Sequence, residues 1–335
     1  MNVVTGATGL IGSHICLRLA ERGVRVRAAF RNEKKIATVK RLFHFYKLQH
    51  LWSSIEWVYA DVEDVEDLQK LITGADCVIH CAAVVSYHPK DVRALMETNV
   101  TGTMNVVNIC LEENVSHLIH LSSISACGKN INTYTTENTP RDMALKYTNY
   151  SRSKYLSELE VWRGIEEGLA STIFNPGVVL GAGSFDQSSG TMFKRIARGL
   201  PALPAGGTGV VSVHDVANAV CLAIESGPKN DRYILVGLNI KMEHLFPLIA
   251  QKLRVKIGKK IAKKWQLRFV FLLEAIQELI FRKKASVTKE ILQNYGETNI
   301  YNGEKATETF QFAYSPIEAS IEEAIRFNNE TSFCE

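Results

Sequence analysis

The sequence has little net charge and no long uncharged apolar run, and each shortage excludes a class of protein. Its 335 residues carry 39 Lys or Arg against 35 Asp or Glu, a formal charge of +4 that is too balanced to indicate nucleic-acid binding. The longest apolar stretch, residues 267–281, contains charged side chains and is shorter than the roughly 20 residues that a membrane-spanning helix needs. We therefore expect neither a nucleic-acid partner nor a transmembrane helix.

Cysteine pairs and metal-binding motifs are also missing. The seven cysteines are an odd number and form no CxxC motif, which favours buried free thiols in a reducing compartment over disulfides. The first residues lead directly into a strand and a glycine turn without the regions of a signal peptide, so we expect a cytoplasmic protein. The nine histidines form no HxxxH or HExxH pair, so we expect no metal. His80 and His120 read as core residues with satisfied nitrogens, and Asp215 as a helix cap.

Short β-branched runs alternate with helical patterns up to about residue 180, which is typical of βαβ units and a parallel sheet. The predicted strands are 2–5, 25–29, 55–59, 77–81, 117–122 and 170–175. The predicted helices are 12–22, 65–73, 92–113 and 150–167. Residues 77–82 show no polar alternation, so we expect helices on both faces of the sheet. The pattern predicts an α/β fold with a Rossmann-like doubly wound parallel sheet.

Glycine and proline become dense after Asn175, which predicts loops over the binding end of the sheet. A helix (213–225) and a strand (232–236) follow, and the remainder reads as helices and turns. We expect a nucleotide-binding domain at 1–175, to which 210–238 return. A smaller substrate-binding lobe would comprise 176–209 and 239–335.

A strand, a GxxGxxG motif and a helix follow one another within residues 3–14. Gly6 would permit the tight turn, Gly9 a close approach to a pyrophosphate, and Gly12 close packing of helix on strand. The phosphates would lie on the helix N-terminus. The pattern predicts a dinucleotide site formed by Gly6, Thr8, Gly9, Leu10, Ile11 and Gly12.

The end of the second predicted strand bears on the choice between NAD and NADP. It carries Arg31, with Lys34 or Lys35 nearby, where NAD-binding proteins have an acid that holds the ribose 2′-hydroxyl. We therefore predict NADP, with NAD as the alternative if Arg31 is only a solvated charge. Asp61 ends the third strand, where it could accept from the adenine amine or cap the next helix.

Tyr150 and Lys154 lie at positions i and i+4, on one helix face. The lysine ammonium, with an oxidised nicotinamide nearby, would lower the pKa of the phenol and let it exchange a proton with a substrate oxygen. Ser123, at the carboxyl end of the fifth strand, is the candidate that hydrogen-bonds a substrate carbonyl, and Ser122 and Ser125 are alternatives. Strand-end capping is the non-catalytic interpretation of any of these serines.

In order and spacing, these motifs resemble the extended short-chain dehydrogenases/reductases, also called the NAD-dependent epimerase/dehydratase family. The resemblance covers nearly the whole chain and rests on TGATGLIG at 5–12, Asp61-Val62, His80-Cys81-Ala82-Ala83, Asn99-Val100-Thr101-Gly102-Thr103, Leu121-Ser122-Ser123, Tyr150-xxx-Lys154 and Asn175-Pro176-Gly177. It implies a catalytic Ser123, Tyr150 and Lys154, in which the lysine also holds the nicotinamide ribose. The further cofactor residues that it implies are Asp61, Val62, Cys81, Ala82, Ala83, Asn99, Ser122, Asn175, Pro176 and Gly177.

Within the family, residues 5–31 look like dihydroflavonol 4-reductases, and Ser122-Ser123-Ile124 followed by Gly128 is similar to 3β-hydroxysteroid dehydrogenases. We therefore expect reduction of a ketone, or oxidation of a secondary alcohol, on a small substrate, and an apolar ketone is one candidate. A nucleotide-sugar epimerase or dehydratase is the alternative, and a dinucleotide-sensing regulator without turnover is a further one. The family also implies a homodimer through the helices at 92–113 and 150–167.

Positive charge is concentrated between residues 252 and 284, where eleven Lys or Arg accompany two acids. The same segment holds a broad apolar face that includes Trp265, Phe269 and Leu272. One interpretation is a lid helix over the substrate pocket, with its charges in water. The other is peripheral contact with an anionic membrane surface.

Overall fold

The structure of the protein is a computed structural model that describes residues 1–130, 133–281 and 287–330. The strands are β1 Asn2–Thr5, β2 Val26–Phe30, β3 Ile55–Tyr59, β4 Cys77–His80, β5 His117–Leu121, β6 Ser171–Pro176, β7 Val178–Leu180, β8 Gly207–Ser212, β9 Asp231–Leu235 and β10 Leu238–Lys241. The helices are α1 Leu10–Glu21, α2 Ile36–Phe45, α3 Val65–Ile72, α4 Val92–Ala94, α5 Gly102–Glu112, α6 Asn149–Glu166, α7 Gly190–Ala197, α8 Val213–Ser226, α9 Met242–Leu253, α10 Lys264–Phe281, α11 Lys289–Gln293, α12 Glu304–Phe310 and α13 Ile317–Asn329. Cys334 and the predicted surface cations Arg282, Lys283 and Lys284 lie outside the described residues.

Seven parallel strands form the main sheet in the order β3-β2-β1-β4-β5-β6-β9. The strand order reverses between β1 and β4, and doubly wound sheets bind ligands at the carboxyl ends of the strands at such a point. This topology confirms the predicted Rossmann-like α/β fold.

Helices cover both faces of this sheet. One core joins α1, α2 and α8 to side chains such as Val4, and the other joins α3, α5 and α6 to side chains such as Val3. Val3 and Val4 point to opposite faces of β1, and both are fully buried. The prediction that the uniformly apolar strands are covered on both sides is therefore confirmed.

The predicted boundaries differ from the observed ones by one residue at several strands. β2 and β6 begin and end one residue later than predicted, and β4 and β5 end one residue earlier. Cys81 and Ser122, which follow β4 and β5, still donate backbone hydrogen bonds to Thr5 O and Phe174 O. Helix α2 was not predicted, although its buried residues Val39, Leu42 and Phe43 have helical spacing.

The helix predicted at 92–113 is interrupted. It consists of α4, a π-helical stretch at Leu95–Thr101, and α5. Such stretches widen a helix by one residue per turn and occur often near functional sites. Here the stretch carries the buried side chains of Thr98 and Asn99.

A second, smaller sheet lies beyond β6. In it β7 pairs with β8 in parallel and β10 pairs with β8 antiparallel. Helices α7, α9 and α13 pack around it through residues such as Phe193, Leu245 and Ile321. Strand β9 pairs with β6 at the edge of the main sheet. None of the helices in the described ranges is long and apolar enough to cross a bilayer.

Candidate active site

The glycine turn between β1 and α1 is closely packed. Gly6 has φ +63°, and a Cβ there would lie 2.6 Å from the Ala82 amide nitrogen. A Cβ on Gly12 would lie 2.4 Å from the Gly6 carbonyl oxygen, so the first turn of α1 rests directly on the loop. Helix α1 starts after Gly9 with no acidic residue in its first turn, and its positive end therefore faces no fixed negative charge from that turn.

A cavity of about 260 Å³ opens beside this turn at the carboxyl ends of β1 to β4. Nine of the predicted cofactor residues line it: Gly6, Thr8, Gly9, Arg31, Lys35, Val62, Cys81, Ala82 and Ala83. Sequence reasoning missed Ala29, Phe30, Asn32, Ala60, Thr98, Gln187 and Ser188. The glycine-rich stretch after Asn175 predicts loops at the binding end of the sheet, but it does not predict which residues of these loops line the cavity.

Arg31 lines this cavity but also has acidic neighbours. Its guanidinium lies 3.3 Å from an Asp61 carboxylate oxygen and 3.8 Å from Glu63. Asp61 is therefore an ion-pair partner of Arg31. The alternative that Asp61 caps the next helix is wrong, because Asp64 is the N-cap of α3 and accepts from the Glu66 and Asp67 amides.

Other predicted cofactor residues lie beside the cavity or deeper in the protein. Leu10 lines a small adjoining recess of about 30 Å³, and Ile11 follows it in the first turn of α1. Pro176 ends β6, and a Cβ on Gly177 would lie 2.5 Å from the Gly209 carbonyl oxygen, so this glycine allows β7 and β8 to pack closely.

Asn99 connects two segments of the chain by hydrogen bonds at the edge of the site. Its side chain accepts from the Val84 amide at 2.7 Å and donates to Val84 O at 3.0 Å. It also donates to the Ser153 hydroxyl at 2.9 Å. Asn99 thus joins the loop after β4 to helix α6, next to the candidate catalytic tyrosine.

Tyr150 and Ser123 meet at the carboxyl end of β5. The Ser123 side chain lies beside the Tyr150 phenol and accepts from the Ser125 amide at 3.1 Å, so it also caps the following turn. The Tyr87 ring packs edge-on against the Tyr150 ring, with centroids 5.8 Å apart. Lys154 is buried one helical turn after Tyr150 and donates to Leu121 O at 2.9 Å.

The pKa shift of Tyr150, in the set formed by Ser123, Tyr150 and Lys154, differs from the prediction. Burial, followed by the neighbouring Tyr87, raises the pKa of Tyr150, and the nearby Ser123 side chain opposes this rise. The prediction of a lowered pKa is therefore wrong for these side chains, because the desolvation of the phenolate dominates. Burial also lowers the pKa of Lys154 to about 8, against the opposing charge of Glu158.

Glu158 is a buried residue of the site that sequence reasoning missed. It accepts from Ser122 Oγ at 2.8 Å, Asn175 Nδ2 at 2.8 Å and Arg232 Nη1 at 2.9 Å. Ser122 and Asn175 are thus turned toward this carboxylate, and Ser123 is the serine that reaches Tyr150. The spacing of residues 150, 154 and 158 on one helix face was the available signal.

Two expectations, one for His120 and one for Asp215, need correction. His80 has partners on both nitrogens, Thr5 at 2.7 Å and Thr103 at 3.0 Å, but both buried nitrogens of His120 lack a hydrogen bond. Asp215 does not cap α8, since Ser212 does so. The Asp215 carboxylate instead accepts from the amide and hydroxyl of Ser315.

Comparison with known proteins agrees with this geometry. Residues 2–236 match a family model described as the NAD dependent epimerase/dehydratase family. Sterol demethylase protein B of Methylococcus capsulatus is 30% identical over 237 residues, which cover 70% of this chain and 69% of that protein. A putative dihydroflavonol 4-reductase of Synechocystis is 26% identical over 332 residues, which cover 97% of this chain and 93% of that protein.

Solved structures have the same fold over the whole chain. The crystal structure of gox2253 is similar with a TM-score of 0.81 and 28% identity, covering 99% of this chain and 98% of that one. Gre2 of Candida albicans in complex with NADPH has a TM-score of 0.74 and 21% identity, covering 98% of both chains. At that identity, the second likeness concerns the fold alone.

Proposed function

The chain belongs to the NAD dependent epimerase/dehydratase family, and we propose that it reduces a ketone with NADPH or, in reverse, oxidises a secondary alcohol with NADP⁺. Similarity along nearly the whole chain to a putative dihydroflavonol 4-reductase supports a reductase. Similarity to sterol demethylase protein B supports a small apolar, alicyclic substrate.

The glycine turn and the cavity beside it suit the diphosphate of a dinucleotide. A Cβ on Gly9 would approach only the Gly6 carbonyl oxygen, at 3.2 Å, so space remains above the turn for a diphosphate. The N-terminus of α1 would bind its charge, with Gly6, Gly9 and Ala82 forming the walls. When bound there, NADP(H) would supply or accept the hydride.

Two cations in this cavity support NADP(H) over NAD(H). Arg31 and Lys35 line it, and β2 ends without the acid that would bind a free 2′-hydroxyl. The pairs that Arg31 forms with Asp61 and Glu63 are partly exposed and therefore contribute little stability. A dianionic 2′-phosphate would compete with those carboxylates for the guanidinium, since charge-assisted contacts with phosphate are strong.

Ser123, Tyr150 and Lys154 would carry out the proton transfer. The Ser123 hydroxyl donates a hydrogen bond to the substrate carbonyl oxygen and positions it beside the phenol. As the carbonyl carbon is reduced, the Tyr150 O–H donates its proton to that oxygen and the alcohol forms. The Lys154 ammonium stabilises the phenolate that remains until solvent returns the proton.

The burial of Tyr150 favours reduction near neutral pH. Because burial raises the pKa of the phenol, Tyr150 stays protonated and is ready to donate. The reverse oxidation begins from the phenolate, which burial disfavours. It therefore depends more strongly on the nearby positive charge of Lys154.

The observation that carries this proposal is the placement of Ser123 beside the Tyr150 phenol, with a buried Lys154 one turn away, at the carboxyl end of the sheet. The test is NADPH consumption, followed by absorbance, with a panel of aryl and alicyclic ketones. Consumption with these ketones supports the proposal. Conversion of a UDP-sugar without net NADPH loss would instead identify an epimerase, and binding without either reaction a dinucleotide sensor.

We also propose a homodimer in a reducing, cytoplasmic setting. Leu159, on the α6 helix predicted for the interface, is 42% exposed, so a partner could cover it. The six cysteines in the described part of the chain are free thiols, which suits a reducing compartment. Light scattering coupled to gel filtration tests the dimer, and a Leu159→Glu variant should dissociate it.

A further inference from the structure

Helix α10 presents an apolar face to solvent. Trp265, Phe269, Leu272 and Leu273 are 65%, 59%, 59% and 46% exposed. The spacing of 265, 269 and 272 places three of these side chains on one side of the helix. An uncovered face with four large apolar side chains marks an interaction surface, because isolated exposed apolar residues are normal but clusters are not.

The acidic side chains of α10 point the other way, toward the protein. Glu278 accepts from His88 Nε2 at 3.2 Å and forms an ion pair with Lys90. Glu274 accepts from the Val287 amide at 2.8 Å. The helix therefore exposes four large apolar side chains while both of its acids face the protein, whereas an ordinary surface helix buries its apolar residues.

Along the chain, cations border this apolar face. The exposed ones in the described part of residues 252–284 are Arg254, Lys256, Lys259, Lys260, Lys263, Lys264 and Arg268. The thirty residues 244–273 contain no Asp or Glu. An apolar face with a basic border, on a helix whose two acids face the protein, complements an anionic lipid surface. Two copies of α10 would repel each other, because each carries the same cations.

We propose that the protein docks on an anionic bilayer through α10, with Trp265, Phe269, Leu272 and Leu273 below the headgroups and the bordering cations against them. This placement accounts for the orientation of α10, since it keeps both of its carboxylates away from the lipid. It departs from the lid interpretation, in which the apolar face covers the substrate pocket.

The docking face is connected to the candidate active site. Through Glu278, α10 holds His88 and Lys90, which follow Tyr87, and the Tyr87 ring packs on Tyr150. A bilayer under α10 would therefore be linked to the candidate catalytic tyrosine through the loop that carries Tyr87. This step rests on the proposed function: an apolar ketone dissolved in the bilayer would reach the site without crossing water.

Binding is tested with the full chain by sedimentation with phosphatidylcholine vesicles, with and without phosphatidylglycerol, at low and physiological salt. We expect binding only with the anionic lipid, a blue shift of the Trp265 fluorescence, and loss of that shift in W265F. Each cation near an anionic surface contributes about a fivefold change, so K259Q/K260Q should bind roughly 25-fold more weakly. The matched control K40Q/K70Q removes two exposed charges elsewhere and should bind normally.

The contribution of the apolar face is tested with W265Q/F269Q/L272Q, which should lose vesicle binding. The control is V65Q/M143Q, which alters exposed apolar residues elsewhere and should bind vesicles normally. Circular dichroism and turnover of a water-soluble ketone show that each variant is folded. Absence of binding at low salt, or a dimer that protects Trp265 in solution, overturns the docking. Vesicle binding without turnover of any ketone upholds the docking and overturns the proposed reductase function. Ketone turnover without vesicle binding does the reverse.

Discussion

Replacing Lys154 with methionine should stabilise the protein while abolishing its activity. Lys154 is 2% exposed, and burial lowers its pKa from 10.5 to about 8. A lowering of this size means that the buried ammonium costs about 3 kcal/mol near neutral pH. Methionine has a similar length and carries no charge, so Lys154→Met removes this cost.

The net gain is smaller than the cost of the charge, because the Leu121 carbonyl also loses its donor. A lost hydrogen bond of this kind costs about 1 kcal/mol, which leaves a stabilisation of about 2 kcal/mol. The gain depends on pH. Below about pH 8 the folded wild type carries the ammonium, and the cost of burying it is fully present. Between about pH 8 and pH 10.5 the folded lysine loses its proton while the unfolded lysine keeps it. The wild type therefore becomes more stable as the pH rises, and the difference in stability between it and Lys154→Met disappears.

The assay is urea unfolding, followed by circular dichroism without nucleotide, at about pH 7 and about pH 9.5. Lys40→Met, at an exposed position on α2, is the control and should change stability at neither pH. The reasoning is refuted if Lys154→Met is less stable than the wild type near neutral pH, or if the difference is the same at both pH values. NADPH consumption by the variant checks the loss of activity.

Three further substitutions test the cofactor cavity and its support. Arg31→Ala should raise the KM for NADPH roughly ten- to a hundredfold but leave the KM for NADH unchanged, since a charged hydrogen bond contributes about 1.5–3 kcal/mol. Equal changes in the two KM values in steady-state kinetics would contradict the role assigned to Arg31. Glu158→Gln should destabilise the protein by about 3 kcal/mol in urea unfolding, because it leaves Arg232 without its buried counter-charge. It should also move the alkaline limb of the kcat/KM profile to lower pH, since Glu158 raises the pKa of Lys154, and an unchanged profile would argue for a purely structural role. Gly12→Ala should lower the free energy of unfolding by about 1–3 kcal/mol, because the new Cβ would lie 2.4 Å from the Gly6 carbonyl oxygen. It should also weaken NADPH binding in a fluorescence titration. Normal binding would show that the glycine turn is not the phosphate site.

Local features of the sequence predicted the fold well. The glycine turn, the alternation of strands and helices, and the uniformly apolar strands depend on residues close in sequence, and they led to the observed sheet. The i, i+4 spacing placed Tyr150 and Lys154 on one face of α6 for the same reason.

Contacts between distant residues could not be predicted. Ser122 and Ser123 both follow β5, and only the folded structure shows that Ser122 bonds Glu158 while Ser123 lies beside Tyr150. The pKa of Tyr150 depends on how deeply the surrounding loops bury it. The segment at 252–284 was recognised as basic and amphipathic, but which side of α10 faces the protein depends on His88, far away in the chain.

The most direct test of the account compares NADPH binding and ketone-dependent NADPH consumption in the wild type and in Tyr150→Phe. The account predicts that both proteins bind NADPH with the same Kd, because Tyr150 does not line the cavity beside the glycine turn. It predicts that consumption falls at least about a hundredfold in the variant, since the proton donor is gone. Undiminished consumption by Tyr150→Phe, or failure of the wild type to bind NADPH, would contradict it.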